Sequence, residues 1–190
     1  MKIGVLALQG AFIEHEVVLK RLGVEAVEVR LPKDLEGLDG VIIPGGESTT
    51  IGKLAVQYRL IEPLRDMARS GRAMWGTCAG LIFMAKDVRR DQPLLGLMDV
   101  TVQRNAFGRQ VDSFETDLEM KDIGGTRPFH GVFIRAPLIE SVGPGVEVMA
   151  RIEAAIVAAR QSNLLVTSFH PELSGDDRVH QYFLTTLSLK

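Results

Sequence analysis

The sequence predicts a three-layer α/β protein: a doubly wound, mostly parallel sheet with an added hairpin region. Three observations carry this expectation. Short, continuous apolar runs at 3–8, 41–43, 73–75 and 164–166 read as strands covered on both faces. Segments of helical spacing stand between the first of these runs, the alternation of a parallel sheet. Each run then breaks off at glycine, proline or small polar residues, as strands do at the edge where ligands bind.

Taken in order, Ile3 to Leu8 forms the first strand and Gln9-Gly10 closes it. Residues 11–22 read as a helix with Phe12, Val18, Leu19 and Leu22 inward and Glu14, Glu16, Lys20 and Arg21 outward. Glu16 and Lys20 form an i,i+4 pair, and Gly23 stops the helix. Val24 to Val29 is a second strand, less buried because Glu25 and Glu28 interrupt it. A polar connection leads to Val41-Ile42-Ile43, which Pro44-Gly45-Gly46 ends. Ser48 or Thr49 is expected to cap the next helix. A further helix covers about 61–70, followed by the Ala73–Trp75 strand and a buried helical run from Leu81 to Ala85.

Residues 87–158 change texture. Short strand candidates at 100–102, 114–120, 131–134, 146–150 and 155–159 are separated by Gly, Pro, Asp and Asn. They are expected as hairpins and loops laid against one edge of the sheet. The last strand, Leu164–Val166, runs into Ser168-Phe169-His170-Pro171-Glu172. A final helix is expected from Asp176 to Leu189, with Val179, Phe183, Leu184 and Leu187 on its inner face. This order of elements is flavodoxin-like.

At 190 residues, with no repeat or linker, one domain spanning 1–190 is expected, large enough to bury a core without a disulfide or metal staple. The net charge of −2 gives no electrostatic footprint for nucleic acid. One cysteine excludes an internal disulfide and a cysteine-based zinc site, and no histidine pair has metal-ligand spacing. No metal or cofactor is expected. The N-terminus enters an apolar strand too short for a signal peptide or membrane span, so a cytoplasmic protein with a free thiol is expected. His15 is expected at the surface or facing a partner, His130 in the hairpin region and His180 in the last helix.

That lone cysteine, Cys78, lies in Gly76-Thr77-Cys78-Ala79-Gly80, between a buried strand and a buried helix. The layout matches a nucleophile elbow with sulfur in place of oxygen. Glycines admit neighbouring backbone, and the N–H groups opening a helix favour an anion. A thiol there can fall from about 8.5 to roughly 3.5–7.5 in pKa, giving the nucleophilic thiolate. The alternative is a small buried cysteine between packing glycines.

Thiolate chemistry needs an imidazole to move a proton and a third group to orient it. His170 ends a strand and so shares the sheet edge with Cys78, while Glu172 is near enough in sequence to face its outer nitrogen. A polar loop is the alternative reading of His-Pro-Glu. The oxyanion hole would come from the N–H of Ala79 and from the Gly45-Gly46 loop. That loop and Gln9-Gly10 are otherwise plain turns.

The elbow and Phe169-His170-Pro171-Glu172 resemble the class I (triad) glutamine amidotransferases. Further stretches resemble the glutaminase subunits of pyridoxal 5′-phosphate synthases: Leu8-Gln9-Gly10-Ala11, Gly46-Glu47-Ser48-Thr49-Thr50, the run from Arg104 to Phe114, and Gly131 to Pro137. The resemblance implies hydrolysis of L-glutamine to L-glutamate and ammonia through a Cys78–His170–Glu172 triad and a glutamyl thioester. It implies a glutamine site made of Gly46, Glu47, Ser48, Arg104, Ile134 and Arg135. It also implies ammonia delivery, in a hetero-oligomer, to a (β/α)₈-barrel synthase subunit on which glutaminase activity depends. Gln9 and Gly10 are candidates for that coupling through the oxyanion loop. One departure is Arg151-Ile152-Glu153-Ala154-Ala155, where relatives carry a polar or glycine-containing turn.

Three alternatives stand beside this reading. A non-enzymatic flavodoxin-like binding module would need a Ser/Thr/Gly-rich phosphate loop after the first strand, where this chain has Leu8-Gln9-Gly10-Ala11-Phe12. A related cysteine hydrolase would carry histidine at the position of Ala79. The glutaminase of another amidotransferase is excluded only by the subfamily stretches.

Overall fold

The structure, a computed structural model, describes residues 1–104 and 113–187. Its elements in order are β1 (Lys2–Leu6), α1 (Phe12–Arg21), β2 (Glu25–Val29), β3 (Gly40–Ile43), α2 (Ser48–Gln57), α3 (Ile61–Arg69), β4 (Ala73–Thr77), α4 (Ala79–Met84), β5 (Ala85–Asp87) and β6 (Met98–Gln103). There follow β7 (Ser113–Leu118), β8 (Phe129–Ile134), β9 (Leu138–Val142), β10 (Glu147–Ile152), β11 (Ala155–Gln161), β12 (Leu164–Thr167) and α5 (Arg178–Tyr182), which continues as a π-helical turn, Phe183–Leu187. The Asn105–Asp112 part of the subfamily motif lies outside the described residues. So do residues 188–190 and the side chains of Thr186 and Leu187.

The main sheet runs β2-β1-β3-β4-β12-β11-β9-β6-β5, with β10 paired to β11. From β2 to β12 the strands are parallel. Beyond β12 the pairing turns antiparallel through β11, β9 and β6. The described part of the 87–158 region therefore extends the sheet rather than lying loosely against its edge; among the described residues only β7 and β8 form a separate ribbon. The sequence pattern gives no sign of β5 and β9, because their short, half-exposed stretches contain no continuous apolar run.

Alternate residues of the parallel strands feed two cores. Ile3, Val5, Ile42, Trp75 and Leu165 join Leu19 of α1 and Val179 of α5 on one face. Leu6, Val41, Ile43, Met74 and Val166 join Ile51, Leu64 and Leu81 of α2, α3 and α4 on the other. Burying each such Leu, Ile or Val contributes roughly 1.5–3 kcal/mol, which fixes both the register and the three layers. In that register Ile43 pairs with Gly76, and Thr77 with Thr167. The segments following β1, β3, β4 and β12 thus emerge together at one edge.

Helix α1 turns Phe12, Val18, Leu19 and Leu22 inward and Glu14, Lys20 and Arg21 outward as expected, and departs only at two polar residues. His15 and Glu16 are buried, while Ile13 and Val17 face outward at 60% and 54% exposure. His15 is therefore a core residue and not a surface one. Glu16 still keeps its Lys20 partner at 3.2 Å. At α2 the cap is Glu47, whose carboxylate accepts from the Thr50 N–H at 2.7 Å, in place of the expected Ser48 or Thr49. Its longer side chain curls back on the first turn and also takes the Thr50 hydroxyl.

Candidate active site

Cys78 sits on the sharp turn between β4 and α4 with φ +49° and ψ −103°. A non-glycine residue in that region stores about 1–3 kcal/mol of strain, and such strain persists only where surroundings over-determine it. They do so here. The Cys78 N–H donates to the Thr167 carbonyl at 2.8 Å, and its own carbonyl accepts from Ile82. A methyl group on Gly80 would lie 2.0 Å from the Ile43 carbonyl oxygen, so the helix can approach β3 only with glycine there. The thiol points at the Ile134 carbonyl, 3.8 Å away at the end of β8.

His170 is fixed from two sides. Its N–H donates to the Val132 carbonyl of β8 at 2.8 Å. Its Nδ1 lies 2.7 Å from Oε1 of Glu172 within a buried pair. Burial disfavours a charged imidazole here, but hydrogen bonds with Cys78 and Glu172 outweigh it and raise the His170 pKa to about 10. Burial likewise opposes ionisation of Glu172, and the nearby imidazoles of His15 and His170, together with the His170 hydrogen bond, still hold its carboxyl below the usual range. The result is an ionised pair with an anionic Glu172 behind a cationic His170.

A cleft of about 350 Å³ opens above the thiol. It is lined by Cys78, Ala79 and His170 together with Gln9, Gly46, Glu47, Ser48, Arg104, Ile134 and Arg135. Gly45 of the expected oxyanion loop also lines it, as do Ala11 and Ile82, which the sequence does not mark as binding residues. Glu172 lies behind His170, outside the lining, and Gly10 lies beneath the loop.

Two contacts tie the Gly45-Gly46 loop to the turn after β1. The Gln9 side-chain oxygen accepts from the Glu47 N–H at 2.7 Å, and the Ala11 N–H donates to the Gly45 carbonyl at 3.0 Å. Gly10, at φ +101°, passes so close that a methyl group there would meet the Gly45 oxygen at 1.8 Å. The backbone of Gly46 is thereby oriented by residues 9–11.

The two arginines differ. Arg104 is held by Glu47 Oε1 at 3.0 Å, Gln92 Oε1 at 3.1 Å and the Thr49 hydroxyl at 3.4 Å. Burial works against the Glu47 charge, but hydrogen bonds from Thr50 and Thr49 outweigh it and bring its pKa to about 2. Arg135, at φ +44°, is exposed at the cleft mouth. Among the described residues no cluster of His, Cys, Asp and Glu could hold a metal ion, and no helix is long and apolar enough to cross a membrane.

Known proteins resemble this chain along nearly their whole length. A protein of Moorella thermoacetica, "Pyridoxal 5'-phosphate synthase subunit PdxT", is 59% identical over 97% of this chain and 98% of its own. The protein of that name from Thermus thermophilus is 57% identical over 96% and 95%. A solved structure described as "Crystal structure of glutamine amidotransferase" superposes with a TM-score of 0.93 at 54% identity, covering 98% of both chains. At 18% identity and a TM-score of 0.69, PurLQS from Thermotoga maritima shares the fold over 98% of both chains. The profile of the SNO glutamine amidotransferase family matches residues 5–189, and this chain belongs to that family.

Proposed function

We propose that the cleft hydrolyses L-glutamine to L-glutamate and ammonia, and that the ammonia passes to the synthase subunit of a pyridoxal 5′-phosphate synthase. The observation that carries the chemistry is the buried 2.7 Å His170–Glu172 pair set beside Cys78 in the cleft. The partner is argued from the relatives, 57–59% identical, that are named as subunits of that synthase.

In this reading the Cys78 thiolate attacks the side-chain amide carbon. The developing oxyanion is met by the N–H groups of Ala79 and Gly46. His170, cationic at neutral pH, gives its proton to the leaving nitrogen, and ammonia departs. The glutamyl thioester then remains on Cys78. Neutral His170 takes a proton from water, whose oxygen attacks the thioester, and glutamate leaves as the thiolate and imidazolium are restored. Glu172 stays ionised throughout and keeps Nδ1–H directed toward itself.

Glu47, Ser48, Gly46, Ile134, Arg104 and Arg135 would hold the amino-acid end of glutamine. Glu47 binds Arg104 directly, which leaves Arg135 as the better partner for the α-carboxylate. Gln9 and Gly10 would couple the partner to the reaction by setting the Gly45-Gly46 peptides, and the partner would be the (β/α)₈-barrel subunit of a hetero-oligomer.

Glutamine labelled with ¹⁵N in the side-chain amide tests this. With synthase subunit present, label is expected in the synthase product and glutamate in solution. No label transfer, with glutamate still formed, would contradict the delivery step. No glutamate at all would contradict the glutaminase.

A further inference from the structure

His170 takes only one oxygen of Glu172. The other, Oε2, is fully buried with no well-formed hydrogen bond, and it faces Nε2 of His15 at 3.4 Å. The same nitrogen lies 3.3 Å from the Thr77 hydroxyl. Nδ1 of His15 lies 3.0 Å from Nε2 of His180. Trp75 packs edge-on against both rings and closes the nest to water. Three elements distant in sequence, α1, β4 and α5, thus converge behind the triad carboxylate.

The contacts select one set of tautomers. Burial lowers the pKa of both His15 and His180, so each ring is neutral and carries one N–H. A proton on Nδ1 of His15 would turn the Nε2 lone pair toward the carboxylate. The arrangement without that repulsion has His180 Nε2–H donating to His15 Nδ1, and His15 Nε2–H aimed at Glu172 and Thr77.

We propose that His15 is a positioning residue of the glutaminase: its Nε2–H, held in that tautomer by His180, fixes the second oxygen of Glu172 and keeps the carboxylate aimed at His170. The proposal rests on Cys78, His170 and Glu172 acting as the triad. The titratable groups facing this chain of contacts are His170 and Cys78 ahead of Glu172, Glu14 near His15, and Arg21 near His180.

Two measurements test it. In the wild-type chain, with only four histidines, ¹⁵N-imidazole spectra at neutral pH are expected to show His15 as the Nε2–H tautomer with Nδ1 accepting. The Nδ1–H tautomer would overturn the proposal without any substitution. Glutamate release is then followed across pH with synthase subunit present. His15→Leu is expected to lower kcat about 10- to 100-fold with the glutamine KM within about twofold. The acidic limb of kcat is expected to move to higher pH, because Glu172 without its second donor protonates more readily. His15→Gln, which keeps an N–H, should recover most of the loss. A pure packing role would lower the folded fraction and leave the limb in place, and a folded His15→Leu with an unmoved limb overturns the proposal. Release from wild type separates that failure from failure of the glutaminase reading, which would show as no release from any form and would take this proposal down with it.

Discussion

A methyl group on Gly45 would lie 2.4 Å from Cε1 of His170 and 3.4 Å from Cβ of Cys78. The loop after β3 therefore lies against both the nucleophile and the imidazole that gives its proton to the leaving group. Gly45→Ala is expected to push the imidazole aside, since a side-chain ring yields before backbone does. A displacement near 1 Å can cost about a hundredfold in rate. The glutamine KM and the thermal midpoint should change far less than kcat. Unchanged kcat would show that the loop does not hold His170 in place.

The raised pKa of His170 has a sign that can be checked. A histidine raised in the folded state contributes stability that is fully present below its unfolded value near 6.5. That contribution is lost as pH rises through about 10. Histidine NMR should show His170 as imidazolium at neutral pH, titrating near 10. Cys78→Ala removes one of the hydrogen bonds that raise it and should move the titration down. An imidazole already neutral at pH 7.5 would contradict the ion-pair description of the site.

His15 and His180 act in the opposite direction. Burial lowers both, so their neutral forms favour the folded state above about pH 6.5, and that stability is lost as pH falls toward their folded values. Unfolding in urea should show stability falling from about pH 6.5 downward, before most carboxylates titrate. His180→Phe should flatten the slope between pH 6.5 and 5. An unchanged slope would mean that these histidines take up protons in the fold.

The β10–β11 turn carries Glu153 at φ +51°. Two-residue hairpin turns favour Asn and Gly at such positions. Glu153→Asn is expected to stabilise the chain by about 1 kcal/mol, read as a higher urea midpoint with an unchanged slope, because the left-handed conformation costs an ordinary residue roughly that much. Glu153 does not line the cleft, so glutamine hydrolysis should not change.

Arg104 and Arg135 should separate in kinetics. Arg135→Ala is expected to raise the glutamine KM about tenfold or more with little effect on kcat, as loss of a charged hydrogen bond to the α-carboxylate would. Arg104→Ala should also loosen Glu47 and thereby disturb the Gly46 loop, lowering kcat as well. Equal, purely KM effects would contradict this division.

The parallel half of the sheet is legible in the sequence because each strand is a continuous apolar run that ends at an abrupt breaker. That logic alone brings Cys78, Gly46 and His170 to one edge. The antiparallel extension is less legible: β5 and β9 are short and half-exposed, and their pairing depends on neighbours far away in sequence. His15 is misplaced when its polar residue type is weighed above its position. It stands three residues before Val18 and four before Leu19, on the face those buried residues define. His180 sits likewise before Phe183 and Leu184. The Glu47 cap is hidden because its side chain is longer than those of the usual capping residues, yet it reaches the same Thr50 N–H.

The most direct test is intact mass spectrometry of the chain mixed with glutamine and synthase subunit, quenched in acid during turnover. A species heavier by one glutamyl group is expected, located on Cys78 by peptide mapping and absent from Cys78→Ala. Steady glutamate release with no adduct on Cys78, or release that persists in Cys78→Ala, would contradict the thioester chemistry on which the proposed function stands.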